Sequence, residues 1–159
     1  MRRISTTAAV LAGGCTAATL DIVFALVYYG LRGVSPLRNL QTIASGVLGA
    51  ASYQGGVATA ALGLALHFFI LIVAAAVFYA ASRQLGWLVR HVLLAGALYG
   101  VAIFLFMNLV VAPLSALPHK EPFPPSFPLG ATLRDLAVHM LLVGLPIALW
   151  NRRASAPAR

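Results

Sequence analysis

Four stretches of this sequence run for some twenty residues with almost no charged side chain, a pattern that suits hydrocarbon as solvent and little else. A segment crossing about 30 Å of hydrocarbon must pair all its backbone groups internally, which takes roughly 20 mainly apolar residues in an α-helix. The stretches are Thr7 to Tyr29, Val57 to Ala81, Val92 to Ala112 and Leu133 to Trp150. The expected fold class is therefore all-α: a polytopic four-transmembrane-helix bundle, one domain over residues 1–159, with the lipid bilayer as its main partner. Composition agrees, since 61% of residues are hydrophobic and only 9% charged, against the quarter typical of soluble domains. Pro146 lies near the end of the fourth stretch, where it should kink the helix or be accommodated by a neighbour.

Between the first two spans, residues 34–52 read as an extra amphipathic outer helix. Ser35 and Pro36 make an N-cap and first-turn pair, and Leu37, Leu40, Ile43 and Val47 recur at helical spacing. Arg38, Gln41, Thr42 and Ser45 occupy its other faces, so it should lie along the outer surface or pack over the bundle mouth. Residues 114–131 hold five prolines between Pro118 and Pro128, which favours an extended, semi-rigid loop.

The charges orient the chain. Arg2, Arg3, Arg83, Arg90, Arg152, Arg153 and Arg159 flank one side, against Arg32, Arg38, Lys120 and Arg134 on the other. Lysine and arginine in short flanks resist translocation, so both termini and the middle loop are expected in the cytoplasm. The net charge of +8 reflects scarce acids, because Asp21, Glu121 and Asp135 are the only three. Without a Lys/Arg cluster interleaved with exposed aromatics, no nucleic-acid partner is expected. The lone Cys15 excludes an internal disulfide and a cysteine-based metal site. Hydrophobicity continues past Cys15 to Tyr29, as in a first span and unlike a cleaved signal peptide.

Against this greasy background the intramembrane polar residues stand out: Asp21, His67, Asn108 and His139. Counted from the outer ends of their spans, His67 falls near mid-depth and Asp21 slightly outward, with Asn108 and His139 one or two turns further out. All four belong to the outer half. Groups of this kind are costly in lipid, so they face the bundle interior and find partners. Asp21 shares a face with Gly14, Ala17, Ala18, Ala25 and Tyr28, a small-residue stripe that admits another backbone. Asp135 stands one turn before His139, where its carboxylate is expected to take the imidazole N–H and fix the tautomer.

Such a cluster has a bland use, hydrogen-bonding across helices to hold their register at about 0.6 kcal/mol per contact. On that basis the first expectation is a structural or accessory membrane subunit without cofactor, and an enzyme is disfavoured because nucleophiles and acids are few. The alternative is small-solute, proton or metal-ion handling by the Asp21/His67/Asn108/His139 cluster with Asp135. Within it, His67 and His139 are the candidate cofactor ligands, as axial imidazoles of a haem or, joined by Asp21, as ligands of a divalent metal. His91 and His119 lie in loops and cannot complete a mid-membrane site.

Gly96 and Gly100 form a GxxxG match, a face for close packing either within the bundle or against another membrane subunit or a second copy. Tyr28, Tyr29, Trp87 and Trp150 sit at span ends as interfacial anchors. The run "GGVATAALG" has nucleotide-loop glycine spacing, but no strand precedes it and no lysine follows, so a phosphate site is not expected. Leu64–His67 matches Leu136–His139, which would make the two halves parallel-topology repeats.

The stretches "LQTIASGVLG", "GGVATAALGLALHF", "YGVAIFLFMNLVVAPLSA" and "HMLLVGLPIAL", with the aspartate of the first span, resemble a family of small four-helix bacterial inner-membrane proteins without an assigned activity. The resemblance covers nearly the whole chain. It implies a four-helix protein of the bacterial cytoplasmic membrane, singles out Asp21, His67, Asn108, Pro113 and His139, and carries no mechanism.

Overall fold

The computed structural model describes residues 4–118 and 125–155. Among these the chain is all-helical. Helices α1 (Thr6–Gly30), α3 (Gly56–Gln84), α5 (Val92–Leu114) and α6 (Leu129–Ala154) are each long and apolar enough to cross a membrane. Between them come α2 (Pro36–Leu48), a 3-10 turn (Gly49–Gln54) and the single turn α4 (Trp87–Arg90). The fourth span begins at Leu129, four residues before its expected start, because the helix sets off directly after Pro128. Glu121, Lys120 and His119 of the proline-rich loop lie outside the described residues.

Glycine and alanine set how closely the spans approach. In lipid no hydrophobic force drives helices together, so close backbone packing has to. On α1, Gly14 faces α3, where a Cβ would come 2.6 Å from the Ile72 Cα, and Gly13 faces α6 at Ile147 and Trp150. Ala17 and Ala18 continue this strip fully buried, so α1 is wedged between α3 and α6. Helix α5 packs on α6 in turn. A Cβ on Gly100 would fall on the His139 carbonyl, and one on Gly144 on the Gly96 carbonyl. The Gly96/Gly100 face is thus occupied inside the chain by α6. Between α3 and α5 an apolar cleft of about 520 Å³ remains, bridged where the Tyr99 hydroxyl donates to the Ala74 carbonyl at 2.6 Å.

Helix α2 starts as its sequence dictates, with the Ser35 hydroxyl accepting from the Arg38 N–H at 3.2 Å and Pro36 in the first turn. It packs along the flank of α3, where Gly63 lies against the Leu40 carbonyl, and its Gly46 carbonyl accepts the Ala116 N–H at 2.8 Å just past the end of α5. Its small and polar residues Gln41, Ala44 and Ser45 are the buried ones, while Leu37, Val47 and Leu48 are exposed. Arg38 and Thr42 are exposed beside them, so burial on this helix follows the small size of Ala44 and Ser45 and the hydrogen bonds of Gln41, and not hydrophobicity. Gln41 spends its amide on the Gly56 carbonyl at 3.1 Å and the Thr59 hydroxyl at 3.3 Å, and Asn39 donates to the Ala25 carbonyl of α1 at 3.2 Å.

Two spans contain a π-helical turn, Met107–Val111 in α5 and His139–Gly144 in α6. Each stops two residues short of a proline, Pro113 and Pro146. A proline offers no N–H to the carbonyl four residues back and its ring crowds that carbonyl, so an α-helix there must kink or widen. Widening is the solution adopted. The Ala112 N–H reaches back five residues to the Met107 carbonyl, and the Leu145 N–H likewise to Met140.

Candidate functional site

The two widened turns face each other across a cavity of about 220 Å³ between α1, α5 and α6. Its polar wall is built by Asp21 and Tyr28 from α1, Asn108 from α5, and Arg134, Asp135 and His139 from α6, and Phe24 and Phe104 add aromatic faces. It lies toward the end of the bundle opposite the termini. One turn nearer the termini the same helices present Ala17, Ala18, Gly100 and Val143, all buried. The cavity is therefore a cup with a sealed apolar floor, continuous with the core around Leu71, Ala75, Phe78 and Ile147.

Asp21, Asn108, Asp135 and His139 are brought together on the cup wall, whereas His67 stands behind it. The His67 ring is buried and its Nε2–H donates to the Ala18 carbonyl at 2.9 Å, tying α3 to α1 one turn before Asp21. The same Nε2 is 3.9 Å from the Asp21 carboxylate, a Coulombic neighbour beyond hydrogen-bonding reach. The two histidines thus share Asp21 as neighbour but do different things, and the matched sequence runs do not produce matched contacts.

His139 is oriented by its own helix. A carbonyl can only accept, so the 2.7 Å contact between Nδ1 and the Asp135 carbonyl puts the hydrogen on Nδ1 and leaves Nε2 as the ring's acceptor. The sequence-based expectation gave this task to the Asp135 carboxylate. That group is instead held by Arg134, whose Nε–H donates to it at 2.7 Å. The main-chain carbonyl is in place because the Asp135 carbonyl points along the helix toward residue 139 and also accepts the His139 backbone N–H at the entrance to the π turn. Asn108 donates through Nδ2 to the Phe104 carbonyl at 2.8 Å, which leaves its Oδ1 as acceptor.

Arg134 and Tyr28 belong to the site although the sequence marked them only as a flank charge and an interfacial anchor. Arg134 also donates to the Tyr28 hydroxyl and lies over the same ring, with Arg32 against it as well, 3.6 Å from the ring centroid. Their signal was available, since Arg134 precedes Asp135 on the helix that carries His139 and Tyr28 is two turns after Asp21.

Haem does not fit this arrangement. His67 is not on the cup wall, its Nε2 is spent as a donor, and a cup of about 220 Å³ is smaller than the pockets that take drug-sized ligands. Nor do three His, Cys, Asp or Glu side chains gather in a metal-holding group among the described residues. The fold and site define a multi-pass helical membrane protein with a polar cup closed at one end. No family model, curated protein or solved structure matches the chain, so its function is argued from the cup itself.

Proposed function

We propose that this protein is a non-enzymatic component of a bacterial cytoplasmic membrane, oriented with both termini in the cytoplasm, that binds a small polar solute in a cup open to the outside. The observation that carries this is the cup's construction. Polar groups converge on it from three helices, two of them on π turns, which recur at functional sites, while its floor is sealed by fully packed small residues. Contacts that only held helical register would not need an open volume. Orientation follows from the seven-to-four excess of arginine and lysine on the termini side.

A sealed floor makes the cup a receptor or the outward-facing state of a carrier, and in neither case a standing pore. The test is one-sided accessibility. With Cys15 replaced by serine, N108C should react with a membrane-impermeant thiol reagent added outside spheroplasts, and V143C should react from neither side. Reaction of N108C only in inverted vesicles, or of V143C from either side, overturns the assignment.

A further inference from the structure

Resting on that cup assignment, we propose that its ligand is a small organic ammonium ion, held by acceptors from three helices and by aromatic faces. The groups left over once internal hydrogen bonds are drawn decide the chemistry. Asp21 receives no hydrogen bond among the described residues and sits with its side chain 23% exposed on the cup wall. The His139 Nε2 is an acceptor because Nδ1 carries the hydrogen, and the Asn108 Oδ1 is an acceptor because Nδ2 is spent on Phe104. A carboxylate, an imidazole nitrogen and an amide oxygen all accept hydrogen bonds and so ask for a ligand rich in donors.

Charge points the same way. Arg134 and Asp135 pair with each other at the mouth, which leaves the Asp21 carboxyl as the acidic group of the wall without an arginine partner. A cation that enters meets the rings of Phe24 and Phe104, which attract positive charge through their quadrupoles, whereas the Tyr28 ring is already taken by Arg32 and Arg134. A bare metal ion is a poor match, because hard cations want six or more oxygen ligands and the wall offers few. Taking about 30 Å³ per water, 220 Å³ holds some seven waters, room for an amine of about five to eight heavy atoms.

Three probes of one length separate the alternatives: butylammonium, butyrate and 1-butanol, each added to the full chain in lipid nanodiscs and read by thermal unfolding. Butylammonium at tenfold excess over its Kd should raise the Tm by about 4 °C, with little response to the other two. D21N should unfold near the wild-type temperature yet lose the shift, and H139Q, which keeps a similar volume, should weaken butylammonium binding several-fold. A shift with butyrate or 1-butanol alone would overturn the ammonium assignment and leave the cup reading intact. A butylammonium shift that persists in both variants overturns it too, since the cation is then bound elsewhere. No shift with any probe, while N108C still labels from outside, likewise removes the ammonium and leaves the open cup.

Discussion

Adding one methyl group at Gly100 or Gly144 should separate α5 from α6 and disturb the cup from behind. A Cβ on Gly100 would lie 2.5 Å from the Met140 Cα, and one on Gly144 2.6 Å from the Gly100 nitrogen. Carbon contacts are optimal near about 3.5–4.0 Å, so the helices must part by roughly 1 Å. A gap of that size forfeits about a quarter to a half of the dispersion well of each neighbouring contact. The obstructing atoms are backbone, and no side chain can swing aside. Overpacking of this kind costs about 1–3 kcal/mol, and we expect G100A and G144A near about 3 kcal/mol. G130A is the control: nothing lies within 4 Å of its added Cβ, and alanine in a helix gains about 0.5–1 kcal/mol over glycine. The assay is reversible unfolding of the full chain in mixed micelles, followed by fluorescence of Trp87 and Trp150. Should G100A and G144A unfold together with G130A, the α5–α6 packing is wrong. Because Gly100 presses on the residues at the start of the His139 turn, G100A should also blunt the butylammonium response.

The two histidines should separate stability from binding. H67A removes a buried ring and its bond to Ala18, for a loss of about 2–3 kcal/mol in the same assay with the cup chemistry retained, whereas H139A should cost under about 1 kcal/mol and abolish the ammonium shift. Y99F removes the hydroxyl that ties α5 to the Ala74 carbonyl of α3 across the apolar cleft and should destabilise by about 0.6–1.7 kcal/mol, measured as a shift in the micelle unfolding curve. On the connector, the neighbouring hydroxyls of Ser45 and Thr42, with Arg38 over the ring, hold the Tyr53 phenol below its ordinary range. An acid with a depressed folded pKa stabilises only above its unfolded value, so this contributes at alkaline pH and vanishes as pH falls through the lowered pKa. S45A should move the Tyr53 step of an ultraviolet titration upward.

How far the sequence reaches depends on what kind of physics fixes each element. The spans were legible because one rule governs them: lipid tolerates no unpaired backbone, and hydropathy over twenty residues reports it. Ser35 and Pro36 announced α2 because capping is local. The seat of α2 was harder, since which face turns inward depends on more than hydropathy. In water Leu37 and Val47 would be the core face. Here they are exposed together with Arg38, and Gln41 and Ser45 go inward to spend their hydrogen bonds on protein.

The site was legible by residue and not by role. Depth counting put Asp21, Asn108 and His139 at neighbouring levels, but it could not tell a residue on the cup wall from one behind it, because His67 and Asp21 are near neighbours in depth and differ only in helix rotation. Pro146 announces a kink in its span and Pro113 is singled out only by resemblance; neither reading includes the widening a proline imposes just upstream. Pro113 lies five residues after Asn108 and Pro146 seven after His139, and each requires its helix to widen or bend just upstream. A widened turn redirects the side chains it carries, and here both redirected residues come to line one cavity. Replacing a proline therefore tests the chain of cause directly. P146A restores the N–H that lets α6 close as a regular helix, and it should stabilise the fold or leave it unchanged while rotating His139 away from the cup. Loss of the butylammonium shift in a P146A protein with an undiminished unfolding temperature would tie the ligand to the π turn. An unchanged shift would show that His139 reaches the cup without the help of the turn.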